Sequence, residues 1–482
     1  GLTELVSEEL LVRRTTSRIS GEAEYAFRHA LVRDAAYAML TDRDRVRAHR
    51  LAGTWLEARG MSDPAMLAAH FQAGEAPELA LGLLRRAAEQ ALEASDLDRA
   101  TSYVGRALSC SPDGPARGAL WAIEAEVAYW RGALDEAADR AAAAADELEA
   151  GSAAWFSAMS AAIGARGQQG KNEQVADALR RVAEAEAPAS ARGAQVVTLC
   201  RGLTQLYWAH HASDLDRVRA RLDDLVALPG PLAPHEVGWV HRVRAESARL
   251  HARDSDRCLA EFEVSCRAFE AARAQRNLCV ARLNQAALAG WAGDIEGALH
   301  GVETARAEAA RLGSSFLVLY GLTVRGLIEA YAGLPTAEAT MRESLPKLGG
   351  SPRLSLIANL VIGHLALQRG DLDAAGDHAQ LALALPAVID LRHGPKALWS
   401  SVLLARGRTA EAIAEAELAL ELRARCTDLE LTEGLAECSA AEAFAAGGHE
   451  HAARGHLNDA YGRLLEVGAT IASERQRERF YD

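Results

Sequence analysis

Between residues 95 and 470 the apolar positions recur three and four apart, and short polar turns interrupt the pattern at regular intervals. The turns read "SDLDRATSYVGRAL" from Ser95, "GALDEAADRAAAAA" from Gly132, "GKNEQVADALRRVA" from Gly170 and "SDLDRVRARLDDLV" from Ser213. They continue with "RDSDRCLAEFEVSC" from Arg253, "GDIEGALHGVETAR" from Gly293 and "GLPTAEATMRESLP" from Gly333. "GDLDAAGDHAQLAL" from Gly370, "GRTAEAIAEAELAL" from Gly407 and "GHEHAARGHLNDAY" from Gly448 complete the series. Successive anchors lie 37, 38, 43, 40, 40, 40, 37, 37 and 41 residues apart. A period of this length marks stacked two-helix units. Each Gly is expected to end one helix in the left-handed conformation, and a following Asp to cap the next.

Six anchors carry Ala at both +5 and +12: Ala100 and Ala107, Ala137 and Ala144, Ala298 and Ala305, Ala375 and Ala382, Ala412 and Ala419, Ala453 and Ala460. Residues seven apart share a helix face, and small side chains there let helices approach closely. The units at Gly170, Ser213, Arg253 and Gly333 depart from the pattern. Gly/Asp turns followed by small residues at these offsets resemble the tetratricopeptide repeat, although its usual period is about 34 residues. Lengthened repeats of this kind are similar to the arms of LuxR-type and related signalling ATPases. The resemblance covers about residues 75–470. It implies an all-α, tetratricopeptide-like, right-handed α-solenoid in which each unit buries its apolar face only against its neighbours.

The head of the chain has another pattern. "LTELVSEELLVRRTTSRISGEAEYAFRHALV" reads as helix, strand, Ser/Gly turn and strand, followed by the helices "RDAAYAML" and "DRDRVRAHRLAGTWLEARG". That order resembles the end of the winged-helix module of STAND ATPases. In that family an "F-x-H-x-L-x-R-x-x-x-Y" segment leads through an "R-x-x-x-H" helix into the repeats. The matching residues are Phe27, His29, Leu31, Arg33 and Tyr37, then Arg45 and His49, with slightly different spacing. "LAAHFQAGEAPELALGLLRRAAEQAL" matches the family's bridge into the array. The division expected is a winged-helix remnant and hinge over 1–60, bridging helices over 61–94 and repeats over 95–482. A start at Gly1 rather than Met fits a fragment of a larger protein, with an ATPase domain upstream in a LuxR-type or kinase-linked regulator.

Composition narrows the partners. Hydrophobic residues make up 49% and aromatics only 5%, so the core is lined by Ala and Leu, as close helix packing requires. A net charge of −13 argues against nucleic acid and anionic membranes. Residues 1–60 are near neutral, with 10 Arg and 9 acids, and their first helix carries Glu4, Glu8 and Glu9, which would repel a phosphate backbone. All basic residues but Lys171, Lys347 and Lys396 are Arg, a bias of GC-rich bacterial genomes. Seven cysteines without a CxxC pair suggest reduced thiols. No apolar run reaches 18 residues and no signal peptide opens the chain, so a cytoplasmic protein is expected.

Candidate chemistry is sparse. "GARGQQGKN" (164–172) has Ala165 and Asn172 where a P-loop needs Gly and Ser/Thr, and it sits at a repeat turn. His449 and His456 in "HEHAARGH" are two turns apart, too far for a zinc grip, and "HEVGWVH" (235–241) misses the H-E-x-x-H spacing. No nucleophile elbow is readable. The sequence therefore predicts no enzyme, cofactor or metal.

One row invites a binding role. Two residues before each anchor stand Trp130, Gln168, His211, His251, Trp291, Tyr331 and Gln368, with Glu126, Tyr207 and His364 one turn earlier on the same face. In the tetratricopeptide fold this offset faces the concave groove. These side chains either close helix ends and fill gaps between repeats, or line a groove for a protein, a peptide or a small-molecule effector. The resemblance favours a ligand- or protein-binding sensor and scaffold arm of a STAND-type signalling ATPase. The alternative is a free-standing adaptor that recruits protein partners.

Overall fold

The computed structural model describes residues 1–17, 19, 21–209, 215–249, 254–348, 351–385, 389–424, 432 and 434–481. It divides into two compact units, residues 1–123 and 124–482. Among the described residues the only strands are two three-residue segments near the N-terminus, and the rest of the regular structure is helical. No helix there is long and apolar enough to cross a membrane.

The first unit begins with α1 (Leu2–Ser7), β1 (Leu11–Arg13), β2 (Tyr25–Phe27), α2 (Ala30–Ala38) and α3 (Asp42–Ala58). The strands pair antiparallel, Leu11 opposite Phe27 and Arg13 opposite Tyr25, so the helix, strand, strand, helix order expected from the sequence is present. Then come α4 (Pro64–Ala73), α5 (Pro77–Glu93) and α6 (Leu97–Leu108). Phe71, Leu67 and Leu84 form the core under α3, where Gly53 leaves room for the Phe71 ring. Four residues of the motif around Tyr37 and the bridge meet there. Arg45 lies 5.5 Å from the Tyr37 ring, the Tyr37 hydroxyl meets His49 Nε2 at 2.9 Å, and His49 Nδ1 meets His70 Nδ1 at 3.1 Å.

The boundary between the units falls within α7 (Gly114–Arg131). The second unit continues with α8 (Leu134–Glu147), α9 (Ala153–Gln168), α10 (Asn172–Glu184), α11 (Arg192–Ala209) and α12 (Leu215–Ala227). After these come α13 (Pro234–Ser247), α14 (Ser255–Ala271), α15 (Gln275–Trp291), α16 (Ile295–Arg311), α17 (Ser315–Tyr331) and α18 (Ala337–Ser344). The last seven are α19 (Pro352–Gln368), α20 (Leu372–Ala384), α21 (His393–Ala405), α22 (Thr409–Arg423), α23 (Leu435–Ala446), α24 (Glu450–Ala469) and α25 (Glu474–Tyr481). Consecutive helices form hairpins that stack into an all-α, tetratricopeptide-like solenoid.

The turn chemistry follows the sequence closely. Ser95 and Gly132, Gly170, Gly293, Gly333, Gly370, Gly407 and Gly448 all have positive φ. The other two anchors, Ser213 and Arg253, lie outside the described residues. Asp96, Asp254, Asp294 and Asp371 each accept the backbone N–H three residues on, capping the following helix. The paired alanines from Ala100 to Ala419 are 0–1% exposed. Three of the irregular units keep the register with other side chains, Val175 and Val182, Val218 and Leu225, and Cys258 and Ser265, all buried. The Gly333 unit instead buries Ala337 and Met341, one register step away, on a helix that starts only after Pro335 and ends early at Ser344.

One expectation needs correction. Units do not bury apolar surface only against their neighbours. A single core cluster holds Leu199 and Leu203 of α11 together with Leu356 and Leu360 of α19, and with Leu391 in a short 3-10 turn (Ile389–Arg392). The tail of the chain also returns: Ala472 N–H donates to Asp256 Oδ2 at 2.9 Å, and Phe480 meets Trp291 edge-to-face with centroids 5.0 Å apart. The approach is close enough that a Cβ on Gly293, which has φ +91°, would stand 2.7 Å from the Gln476 carbonyl oxygen. Leucines and aromatics placed in loops and at the terminus gain by covering distant units, since apolar burial has no preference for sequence neighbours.

Candidate binding cavity

The first helices of seven successive hairpins, α7, α9, α11, α13, α15, α17 and α19, turn one face toward a shared cavity in the second unit. Its open volume, counting space continuous with solvent, is about 1280 Å³. On α15 and α17 the lining follows a helical stripe, Asn277, Val280, Asn284 and Ala287 on one, Phe316, Tyr320, Val324, Leu327 and Tyr331 on the other. Among the described residues, second helices of the hairpins contribute nothing to it.

Aromatic faces carry the arginines of this wall. Arg201 lies 4.1 Å from the Tyr129 ring centroid, Arg276 5.0 Å from Trp130 and Arg242 5.0 Å from Trp239. Stacking fixes a planar guanidinium while leaving its edge for other partners. Arg201 uses that edge on Glu126, at 2.9 Å, and on Ser160 Oγ, at 3.3 Å. Burial alone would raise the Glu126 carboxyl, but Arg201, Arg276 and the Trp130 N–H outweigh it and hold it below its ordinary value. Gly164 makes this possible, because a Cβ there would sit 2.6 Å from Arg201 Nε. Thus the glycine of the P-loop lookalike serves packing.

Further along, Arg249 pairs with Glu246 at 2.8 Å, and the Tyr320 hydroxyl donates to Asn284 Oδ1 at 2.5 Å. Burial pulls the guanidinium of Arg353 down to about 9, and burial also lowers Arg242. His235 Nε2 stands 3.3 Å from Trp239 Nε1 and 3.1 Å from Asn277 Nδ2, so it serves as an acceptor behind the wall. In the same segment Glu236 caps α13 through the Ala233 N–H, and His241 pairs with Glu261 at 2.6 Å. Among the described residues no group of His, Cys, Asp and Glu is arranged to hold a metal.

The residues singled out from the sequence divide. Trp130, Gln168 and Tyr331 line the cavity, and Glu126 supports it from behind. Tyr207 is 3% exposed and its hydroxyl accepts from Arg219 Nε on α12, away from the lining. Trp291 is occupied by Phe480. His364 is largely buried, and Gln368 is exposed at the end of α19, outside the lining. His211 and His251 lie outside the described residues. Sequence reasoning missed Arg201, Arg242, Arg249, Arg353, Asn284 and Tyr320. The signal was available: the same face continues nine, thirteen and sixteen or seventeen residues before the anchor, as Asn284, Tyr320 and Arg353 show.

Chemically the lining offers stacking, guanidinium and amide contacts. It contains no Asp, Glu, His, Cys or Lys among the described residues, so no group poised near neutral pH faces the space.

No family model matches the chain, and no curated protein does. Among solved structures, the Rap protein complexed with competence and sporulation factor is similar at a TM-score of 0.48 and 13% identity, covering 74% of this chain and 98% of that one. The APC/C hetero-tetramer Cut9–Hcn1 is similar at a TM-score of 0.34 and 13% identity, covering 93% and 94%. At these scores neither likeness bears on function, and the fold assignment rests on the chain's own helix pairs.

Proposed function

We propose that this chain is the ligand- or protein-binding sensor arm of a STAND-type signalling ATPase, non-catalytic by itself. The observation that carries the binding role is the cavity walled by seven successive first helices, aromatic and arginine-rich. A peptide or protein segment held there touches many units at once. It would therefore favour one curvature of the stack over others, a population shift that an attached domain can sense.

The N-terminal element supports the ATPase context. Leu31 on α2 is 83% exposed, Met39 just after it 85% and Leu51 on α3 62%, all beyond the short strand pair. Apolar side chains so placed gain from burial against another domain. Free thiols, four of them buried, suit a reducing compartment and a cytoplasmic location.

The longer reading frame tests this reading. A Walker motif upstream, and an ATP hydrolysis rate that changes when Ala287→Trp fills the cavity, are the expected results. An upstream sequence without a P-loop, or a rate indifferent to the block, would overturn the sensor role.

A further inference from the structure

The tail from Thr470 to Tyr481 seats on two turns of the middle units, at 254–256 and 291–294. Ser255 N–H donates to Thr470 Oγ1 at 3.3 Å, and Ala472 N–H donates to Asp256 Oδ2 at 2.9 Å. Phe480 then meets Trp291 edge-to-face. Gly293 makes room for the tail's backbone, because a Cβ there would stand 2.7 Å from the Gln476 carbonyl oxygen and 3.4 Å from the Phe480 nitrogen. At Gly132, Gly333, Gly370, Gly407 and Gly448 an added Cβ meets nothing within 4 Å. Of these six anchor glycines, Gly293 is the one with a chain seated on it.

The tail helix depends on the surface beneath it. α25 has 8 residues and no buried side chain, and only Gln476, Arg477 and Phe480 are half-buried. An isolated helix needs about 12–15 residues to persist in water. Ile471, 1% exposed, fixes the near end of the tail, and the exposed Ala472 and Ser473 leave α25 able to dock or to leave. Charge favours docking. Positions 254–256 and 291–296 carry Asp254, Asp256, Asp294 and Glu296 and no basic residue, whereas α25 carries Arg475, Arg477 and Arg479 against Glu474 and Glu478.

We propose that the turns at 254–256 and 291–294 form a docking surface for a short, arginine-bearing helix that ends in an aromatic ring, and that the chain's own tail is its resident occupant. Tethering gives the tail a high local concentration, so it holds the surface against a free segment of the same chemistry. Such a segment takes the surface once the tail is released. Docking also ties the last hairpin to α15, whose inner stripe lines the cavity. Release of the tail therefore removes a restraint from one wall of the cavity.

The test uses the full chain and a fluorescent synthetic peptide of residues 470–482, with binding read by anisotropy. Phe480→Ala weakens the resident tail, so this variant should bind the peptide about tenfold tighter than the wild type does. Adding Trp291→Ala or, separately, Asp256→Ala should abolish that gain, and circular dichroism checks that each variant folds. Asp256 lies away from the aromatic pair, so it decides the matter even if Trp291→Ala folds poorly. Trypsin, which cuts after Arg475, Arg477 and Arg479, should clip the tail about tenfold faster in Phe480→Ala than in the wild type. No peptide binding by Phe480→Ala, or binding that survives both Trp291→Ala and Asp256→Ala, would overturn the docking surface. Equal peptide affinity for wild type and Phe480→Ala, or unchanged trypsin cleavage, would overturn the tail as its occupant.

Discussion

Arg201 on α11 donates to Glu126 on α7 at 2.9 Å, reaching across the intervening α9. The pair links the first and third walls of the cavity over 75 residues of sequence. Glu126 also accepts from Trp130 Nε1 at 2.7 Å, which fixes the ring that supports Arg276. Removing one partner of a mostly buried pair strands the other, so Glu126→Gln should destabilise the second unit by roughly 2–4 kcal/mol in urea unfolding. An unchanged midpoint would show that Arg201 finds another partner. Because the Glu126 carboxyl is held below its ordinary value, its contribution is present above the unfolded carboxylate range. It is lost as pH falls through the folded value.

The same contact makes Gly164 a sensitive position. A methyl group at Gly164 would collide with the Arg201 guanidinium, so Gly164→Ala should cost about 1–3 kcal/mol. In an Arg201→Met background, where nothing planar has to pass, the cost should shrink. A double-mutant cycle reads the coupling directly, and purely additive effects would contradict the packing described.

His364 gives the array an acid sensitivity. Burial lowers its pKa to about 4, and its Nε2 has no hydrogen-bond partner among the described residues. The unfolded chain therefore binds a proton between about pH 6.5 and 4 that the folded chain refuses, and stability falls as pH drops through that window. The loss should approach about 3 kcal/mol at pH 4. His364→Leu should flatten this part of the stability profile, and an equally steep profile in the variant would show that other groups are responsible.

Ala419 is fully buried with Ala397 and Ala436, where α21, α22 and α23 meet. Ala419→Leu should overpack that contact by roughly 1–3 kcal/mol. A melting curve that does not move would place the alanine register one residue out.

These alanines also show what the sequence makes legible. Small residues at +5 and +12 and a left-handed turn are local signals, so the helix pairs from Ser95 to Gly448 are readable from spacing alone. The Gly333 unit misleads because Pro335 delays its second helix, which shifts the buried face to Ala337 and Met341. At the cavity, Trp130, Gln168 and Tyr331 follow from one offset, but that offset samples only the end of each first helix. Arg242 and Arg353 come from its middle and start, and from units far apart in sequence. Leu391 against α11 and Phe480 on Trp291 carry no periodic signal, since contacts between distant units leave no mark on local spacing.

The returning tail offers its own test. Phe480→Ala removes an edge-to-face partner worth about 0.5–1.5 kcal/mol beyond its area. Trp291 should then become more accessible to a fluorescence quencher, while helix content stays the same. Unchanged quenching would mean that the tail does not cover Trp291 in solution.

The proposed binding surface is the inner face of the first helices. Ala287 lies in the lining on α15, and a tryptophan there would take up space in the cavity. The direct measurement is peptide-library retention by Ala287→Trp beside the wild-type chain, at equal helix content. We expect the substitution to abolish retention. Retention at the wild-type level would put the binding surface elsewhere and contradict the account.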